Sequence, residues 1–258
     1  MSSTPPRAHA LEVRNLSCSF SGLQAVRDLS LTLEPGSFVG LIGPNGAGKT
    51  TLLECISGHN RKYAGRVFLE GMETTKWPPH KIGGMGVIRT FQVARPFAKL
   101  TILSNLMTGP RHQKGEALIP AILGNWHAEQ REHLRVAWSW LQRFELEAAG
   151  DSYGGQLSGG QERLAELSRA MMAEPTMLLL DEPFAGVSPV NRMRLAEYLK
   201  KVSRERSLTV LMVEHRLEFI ERLCSRVVVM AEGGIIADGQ MSEVKQDKRV
   251  LEAYLGVV

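Results

Sequence analysis

Long apolar runs are missing from this sequence of 258 residues. The longest, such as 177–180 and 227–231, fall far short of the roughly 20 residues a membrane-spanning helix needs, so no segment is expected to cross a bilayer. Cysteine is scarce as well. Cys18, Cys55 and Cys224 are odd in number, lie far apart and form no C-x-x-C pair. That argues against a disulfide framework or a zinc site and leaves them as small buried apolar residues. Residues 1–10 are rich in Ser, Thr and Pro and lack the apolar block of a secretory signal. They read as a disordered tail, and the protein is expected to stay in the cytoplasm. No internal repeat or low-complexity tract is present, so residues 11–258 are expected to form one domain. Concentrated charge of one sign is lacking too. The net charge of +4 is spread along the chain. Its densest basic group, Lys200, Lys201, Arg204 and Arg206, falls on what reads as a solvated helix end, so nucleic acid is not an expected partner.

What is present is an ordinary globular pattern, with 43% hydrophobic and 22% charged residues, enough to bury a sizeable core. Leu11, Val13 and Leu16, then Leu29, Leu31 and Leu33 before the turn Glu34-Pro35-Gly36, predict short antiparallel strands. Residues 38–42 are a compact apolar run suited to a buried strand, followed by glycines and a predicted helix over 49–57. Two more buried strands are predicted at 177–180 and 208–213, with a crossover helix over 190–202 between them. The expected class is α/β, a parallel sheet with covering helices. Between 101 and 144 the pattern turns helical, with Leu103, Leu106 and Met107, then Leu134, Trp138 and Leu141, on apolar faces. A helical subdomain is expected over about 93–172. Its apolar run 117–123 reads equally as a surface helix that docks on a partner or as a packed connector.

Three motifs carry chemistry. Gly43-Pro44-Asn45-Gly46-Ala47-Gly48-Lys49-Thr50, continued by Thr51, matches G-x-x-x-x-G-K-[ST] in full, between a buried strand and a helix. Its glycines let backbone N–H groups turn inward around phosphate oxygens, and the helix N-terminus adds a favourable dipole. Lys49 would neutralise β- and γ-phosphate charge and Thr50 would hold Mg2+, so ATP with Mg2+ is the expected ligand. Next, Asp181 and Glu182 stand at the C-terminal edge of a predicted parallel strand, where ligands of such sheets bind. Adjacent strand residues face opposite sides, so Asp181 is expected to complete the magnesium shell through water and Glu182 to deprotonate the attacking water. Taken alone, the two acids also fit a solvated turn before Pro183. Finally, Leu157-Ser158-Gly159-Gly160-Gln161 opens a helical stretch over 162–172, with Ser158 placed as its N-cap. That is a second anion-binding helix start in one chain.

With these motifs in this order, the sequence resembles the ATP-binding-cassette family, whose signature is the pentapeptide 157–161; the likeness runs from about residue 11 to the end. The resemblance implies a P-loop NTPase fold with an antiparallel β subdomain and a helical subdomain, and it implies ATP hydrolysis. Two cassettes would pair head to tail, so that Ser158, Gly159, Gly160 and Gln161 of one close on the nucleotide held by the other. Phe20 would stack on adenine, although by itself it reads as well as a core strand residue. Gln92, in Arg89-Thr90-Phe91-Gln92, would sense magnesium and the attacking water. His215 would bond the γ-phosphate, a role that a lone histidine at a strand end would not suggest. One departure is visible: Ser188 stands where many members carry Asp, and it brings no charge to coupling across the dimer.

Only residues 51–156 separate the phosphate loop from the signature, which leaves no space for the long coiled coils of DNA-repair and chromosome-organising relatives. Translation-factor relatives carry two cassettes; one is found here. The short stretch after Gly239 is expected to leave no room for the regulatory β-domain of sugar importers. The sequence resembles the ATPase subunits of branched-chain (hydrophobic) amino acid importers. That likeness rests on Arg89 to Gln92, on 101–106, on Asp181-Glu182-Pro183-Phe184-Ala185-Gly186 and on the ending Val250-Leu251-Glu252-Ala253-Tyr254-Leu255-Gly256. It implies two transmembrane permease subunits, a second cassette ATPase in a homo- or heterodimer, an external solute-binding protein acting indirectly, and a place on the cytoplasmic face of the membrane. The push would pass through a groove beside Gln92. Urea, amide or aromatic-acid import and lipopolysaccharide export stay open as alternatives. A soluble, non-transport cassette rests on the basic pI of about 9.0 alone.

Overall fold

The computed structural model describes residues 9–20, 22–90, 96–111, 113 and 126–255. Strands β1 (Leu11–Phe20), β2 (Leu23–Leu33), β4 (Ala64–Leu69) and β5 (Met72–Glu73) form an antiparallel sheet in the order β2-β1-β4-β5. The first two are longer than the short strands the sequence suggested, at 10 and 11 residues. Register shifts around Leu16 and Cys18 let the pair bend without ending, and that break in alternation hides their length. Ala10, expected in the tail, is buried and donates its N–H to the Leu33 carbonyl at 2.9 Å.

The second sheet holds β3 (Phe38–Ile42), β6 (Val87–Arg89), β7 (Met177–Asp181), β8 (Thr209–Val213), β9 (Arg226–Ala231) and β10 (Gly234–Gly239). Its order is β10-β9-β3-β8-β7-β6, parallel throughout except for the edge strand β10. Period-two alternation divides its side chains between two cores. Leu178, Leu180, Val210 and Met212 pack on one face with the helices Ile102–Met107, His127–Arg143, Gly159–Met172, Pro189–Glu205 and Leu217–Leu223. Met177, Leu179, Leu211 and Val213 pack on the other, with the helix Lys49–Ile56 and the antiparallel sheet. Burial on both faces is why these strands read as continuous apolar runs rather than alternating ones.

The helices Ile102–Met107, His127–Arg143 and Gly159–Met172 pack on one another. The core face of His127–Arg143 differs from expectation: Ala137, Trp140 and Leu141 are buried, whereas Trp138 is exposed. Aromatic contacts set that rotation. Trp140 meets the Tyr198 ring edge-on at 5.4 Å, and Phe144 meets it at 4.7 Å. The three cysteines are free, with Cys18 and Cys55 buried and Cys224 half-buried. Among the described residues, no helix is long and apolar enough to cross a membrane.

Candidate active site

The strand order sets the C-terminal ends of β3, β8 and β7 side by side. Leu41 pairs with Val213, and Val213 with Asp181, so the segments that follow, starting at Gly43, Glu214 and Glu182, emerge along one edge. The loop after β3 can only be built from glycine at two points. Gly43 has φ +150° and a Cβ there would lie 2.0 Å from the Met230 carbonyl oxygen; Gly48 has φ +97° and would place one 2.1 Å from the Ala25 carbonyl oxygen. Gly48 is also the N-cap of the helix Lys49–Ile56, and no side chain caps that helix. Its first-turn amides are thus left to an anion. Lys49 is buried and donates from Nζ to the carbonyls of Gly43 at 2.8 Å and Pro44 at 2.9 Å. Burial lowers its pKa from the ordinary lysine value, while the carboxylates of Glu182 and Asp181 oppose the shift.

Thr50 Oγ1 lies 3.5 Å from Asp181 Oδ1, at the limit of a hydrogen bond. Asp181 is buried, which pushes its carboxyl above the usual range; the Arg89 guanidinium, 3.2 Å from Oδ2, pulls the other way. The Arg89 side chain is itself buried, and Glu54 stands 3.9 Å from it. In the sequence Arg89 is legible only as context for Gln92; a buried ion pair depends on a partner far along the chain. The hydroxyl of Thr50 and carboxylate of Asp181 are hard oxygen donors of the kind Mg2+ takes, with water and phosphate completing its shell, so the pair fits that ion.

Glu182 does not follow the strand alternation expected of it. Its φ of +49° places it in the left-handed region just past β7, and this kink separates its side chain from that of Asp181. Its N–H donates to the Val213 carbonyl at 2.9 Å. Its Oε1 stands 3.3 Å from Nε2 of His215, which emerges from the neighbouring strand β8. Glu214, which no motif singled out, is buried beside them, and its Oε1 accepts the N–H groups of His215 at 3.0 Å and Arg216 at 3.1 Å. The available signal is an acidic residue directly after a fully buried, mostly apolar strand.

Phe20 is 47% exposed, which removes its reading as a core residue. It lines one cleft of about 350 Å³ together with Asn45, Gly46, Ala47, Gly48, Lys49, Thr50, Thr51, Glu182 and His215. The signature residues lie elsewhere on the chain. Ser158 is exposed, and its Oγ accepts the Gln161 N–H at 3.4 Å while Gln161 Oε1 accepts the Ser158 N–H at 3.0 Å, a complete capping box on the helix Gly159–Met172. Ser188 caps the helix Pro189–Glu205 by accepting from Asn191 N–H at 3.4 Å. Gln92 and the run 117–123 lie outside the described residues.

A family model for the ABC transporter matches residues 26–185, more than half of the chain. The chain belongs to the ABC transporter family. A further model, that of the branched-chain amino acid ATP-binding cassette transporter, matches residues 235–258 of the cassette. Over 246 residues, 95% of each chain, the cassette is 39% identical to the probable branched-chain amino acid transport ATP-binding protein LivG of Archaeoglobus fulgidus. Its fold matches a nucleotide-free ATP-binding cassette from an ABC transporter with a TM-score of 0.82 at 31% identity, covering 96% of this chain and 100% of that one. The ADP conformation of an ABC transporter cassette matches with a TM-score of 0.79, also at 31% identity, over 96% and 99% of the two chains. The α/β P-loop architecture and the expectation of an ATP-binding, ATP-hydrolysing cassette are both borne out.

Proposed function

We propose that this cassette is the ATPase subunit of a membrane importer for branched-chain or related hydrophobic amino acids. The observation that carries the reading is the convergence, at one sheet edge, of the glycine-built loop with buried Lys49, the Thr50–Asp181 pair and the Glu182–His215 pair. The match of residues 235–258 to the branched-chain transporter model, and the LivG relative, support the choice of cargo.

In this reading, loop amides and Lys49 hold the phosphates, Phe20 stacks on the adenine, and Thr50 and Asp181, with Gln92, would hold Mg2+, which when bound would neutralise charge on the phosphates. Glu182 accepts a proton from the attacking water, and His215, held against it, bonds the γ-phosphate. Ser158, Gly159, Gly160 and Gln161 meet the nucleotide of a second cassette, so ATP has higher affinity for the closed pair and drives closure. Helices within about 93–172 form the subdomain that transmits the motion, in one functional unit spanning 11–258. The groove lined by Ile88, Thr90, Phe97, Gly109 and Arg169 receives a segment of a permease. The cassette thus sits on the cytoplasmic face of the membrane, below two permeases fed by an external solute-binding protein.

The test is to tag the chain in its native host, solubilise the membranes gently and identify by mass spectrometry what co-purifies. Two integral membrane permeases and a second cassette ATPase are expected. Recovery of soluble or ribosomal partners alone would overturn the reading.

A further inference from the structure

Strand β8 ends at Val213, and the chain must then turn sharply to set His215 at the cleft. The bend falls at His215, and Glu214 precedes it with its side chain folded back on the following backbone. The residue is only 4% exposed, and one carboxylate oxygen takes both following amides, His215 N–H at 3.0 Å and Arg216 N–H at 3.1 Å. The other oxygen, Oε2, is buried and has no hydrogen-bond partner. Such an arrangement is costly. Burial pushes the Glu214 carboxyl above the usual carboxylate range, the two amides draw it back, and the neighbouring Glu182 adds repulsion. A polar group kept in so unfavourable a place, with one oxygen idle, points to a use for the other oxygen.

That use lies one residue on. The imidazole of His215 projects from the peptide whose N–H Glu214 holds, and its Nε2 stands 3.3 Å from Glu182 Oε1. Glu182 is tied to the same strand end by its N–H, which donates to the Val213 carbonyl at 2.9 Å. Two glutamates therefore bracket the histidine: Glu214 grips its main chain and Glu182 faces its ring. His215 is 39% exposed at the side chain, so packing alone holds the ring loosely. The orientation of its backbone has to supply what packing does not.

We propose that Glu214 is a positioning residue for ATP hydrolysis, whose carboxylate fixes the peptide of His215 so that the imidazole stays against Glu182. It touches neither nucleotide nor water itself. A misplacement of reacting groups by about 1 Å costs rate on the order of a hundredfold, whereas substrate binding, made by the loop after β3, is untouched. The inference rests on the reading of Glu182 and His215 as hydrolytic residues.

The experiment uses the full chain with three substitutions. Glu214→Met fills the same space without an acceptor, Glu214→Gln keeps one carbonyl oxygen for the two amides, and His215→Ala tests the underlying reading. Expected for Glu214→Met is a fall in kcat of about tenfold or more, with KM for ATP and the ATP Kd unchanged within about threefold. Glu214→Gln is expected to restore kcat to within about threefold of the parent, because an amide oxygen can still accept both N–H groups. Both variants are followed by thermal melting, so that kcat is read only on folded protein; if Glu214→Met melts below the assay temperature, Glu214→Ala takes its place. Parent-like kcat in the acceptor-free variant overturns the proposal, as does a Gln variant as slow as Met, or a KM that rises in step with the loss of kcat. If His215→Ala hydrolyses ATP normally, the hydrolytic reading itself fails; if it is inactive while Glu214→Met is normal, only the role of Glu214 fails.

Discussion

Two helix starts in this chain carry glycines and are proposed to meet phosphate, yet they are built in opposite ways. The loop before Lys49–Ile56 is partly buried, bends through positive φ at Gly43, Gly46 and Gly48, and leaves its helix without a side-chain cap. The start of Gly159–Met172 is exposed and capped by side chains, with Ser158 and Gln161 closing a capping box on each other. The first is a shape waiting for an anion within its own chain. The second holds two of its amides, those of Ser158 and Gln161, in internal bonds, which suits a surface engaged only when a second cassette arrives.

The widest contrast is steric. Gly43→Ala is expected to destabilise the fold by about 3 kcal/mol and to abolish ATP binding, since its Cβ would collide with the Met230 carbonyl. Gly159→Ala, whose Cβ meets nothing within 4 Å, should leave the melting temperature unchanged or slightly higher. Equal losses in a pair of melting curves would erase the distinction between the two starts. Glu182→Gln comes next: turnover should fall about a hundredfold or more, equivalent to about 2.7 kcal/mol on the barrier, with ATP affinity retained. Near-parent turnover in a phosphate-release assay would mean that another group activates the water. Lys49→Ala should raise the ATP Kd by about tenfold, near 1.4 kcal/mol, by calorimetry; unchanged binding would sink the assignment of the first start as the nucleotide cradle. Smallest is Ser158→Ala, expected to cost about 1 kcal/mol of stability through its lost cap, with nucleotide binding by the single chain unaltered. A loss of ATP affinity as large as that of Lys49→Ala would place both starts in the same cleft.

Much of this was legible in the sequence where the physics is local. The strand Phe38–Ile42 and the helix following it were predicted to within a residue, because a doubly buried strand is one short apolar block and Gly48 marks the helix start. The capping role of Ser158 followed from its residue type and place. What failed to show depends on tertiary partners. Arg89 and Glu214 are buried charges whose meaning comes from Asp181 and from the turn at His215. Trp138 was assigned to a core face that Tyr198, on a distant helix, turns toward Trp140 instead. The two long strands of the antiparallel sheet were shortened in prediction by register shifts that interrupt alternation.

The left-handed backbone at Glu182 has a consequence for how this position can change. A glutamate pays a steric penalty at φ +49° that glycine or asparagine would largely escape. Were this position free to drift toward greater robustness, it would lose its carboxylate. With Glu182 as the proposed base, thermostability and turnover pull in opposite directions at this one residue, so a search for hardier variants judged by heat resistance alone would tend to return cassettes that bind ATP and no longer consume it.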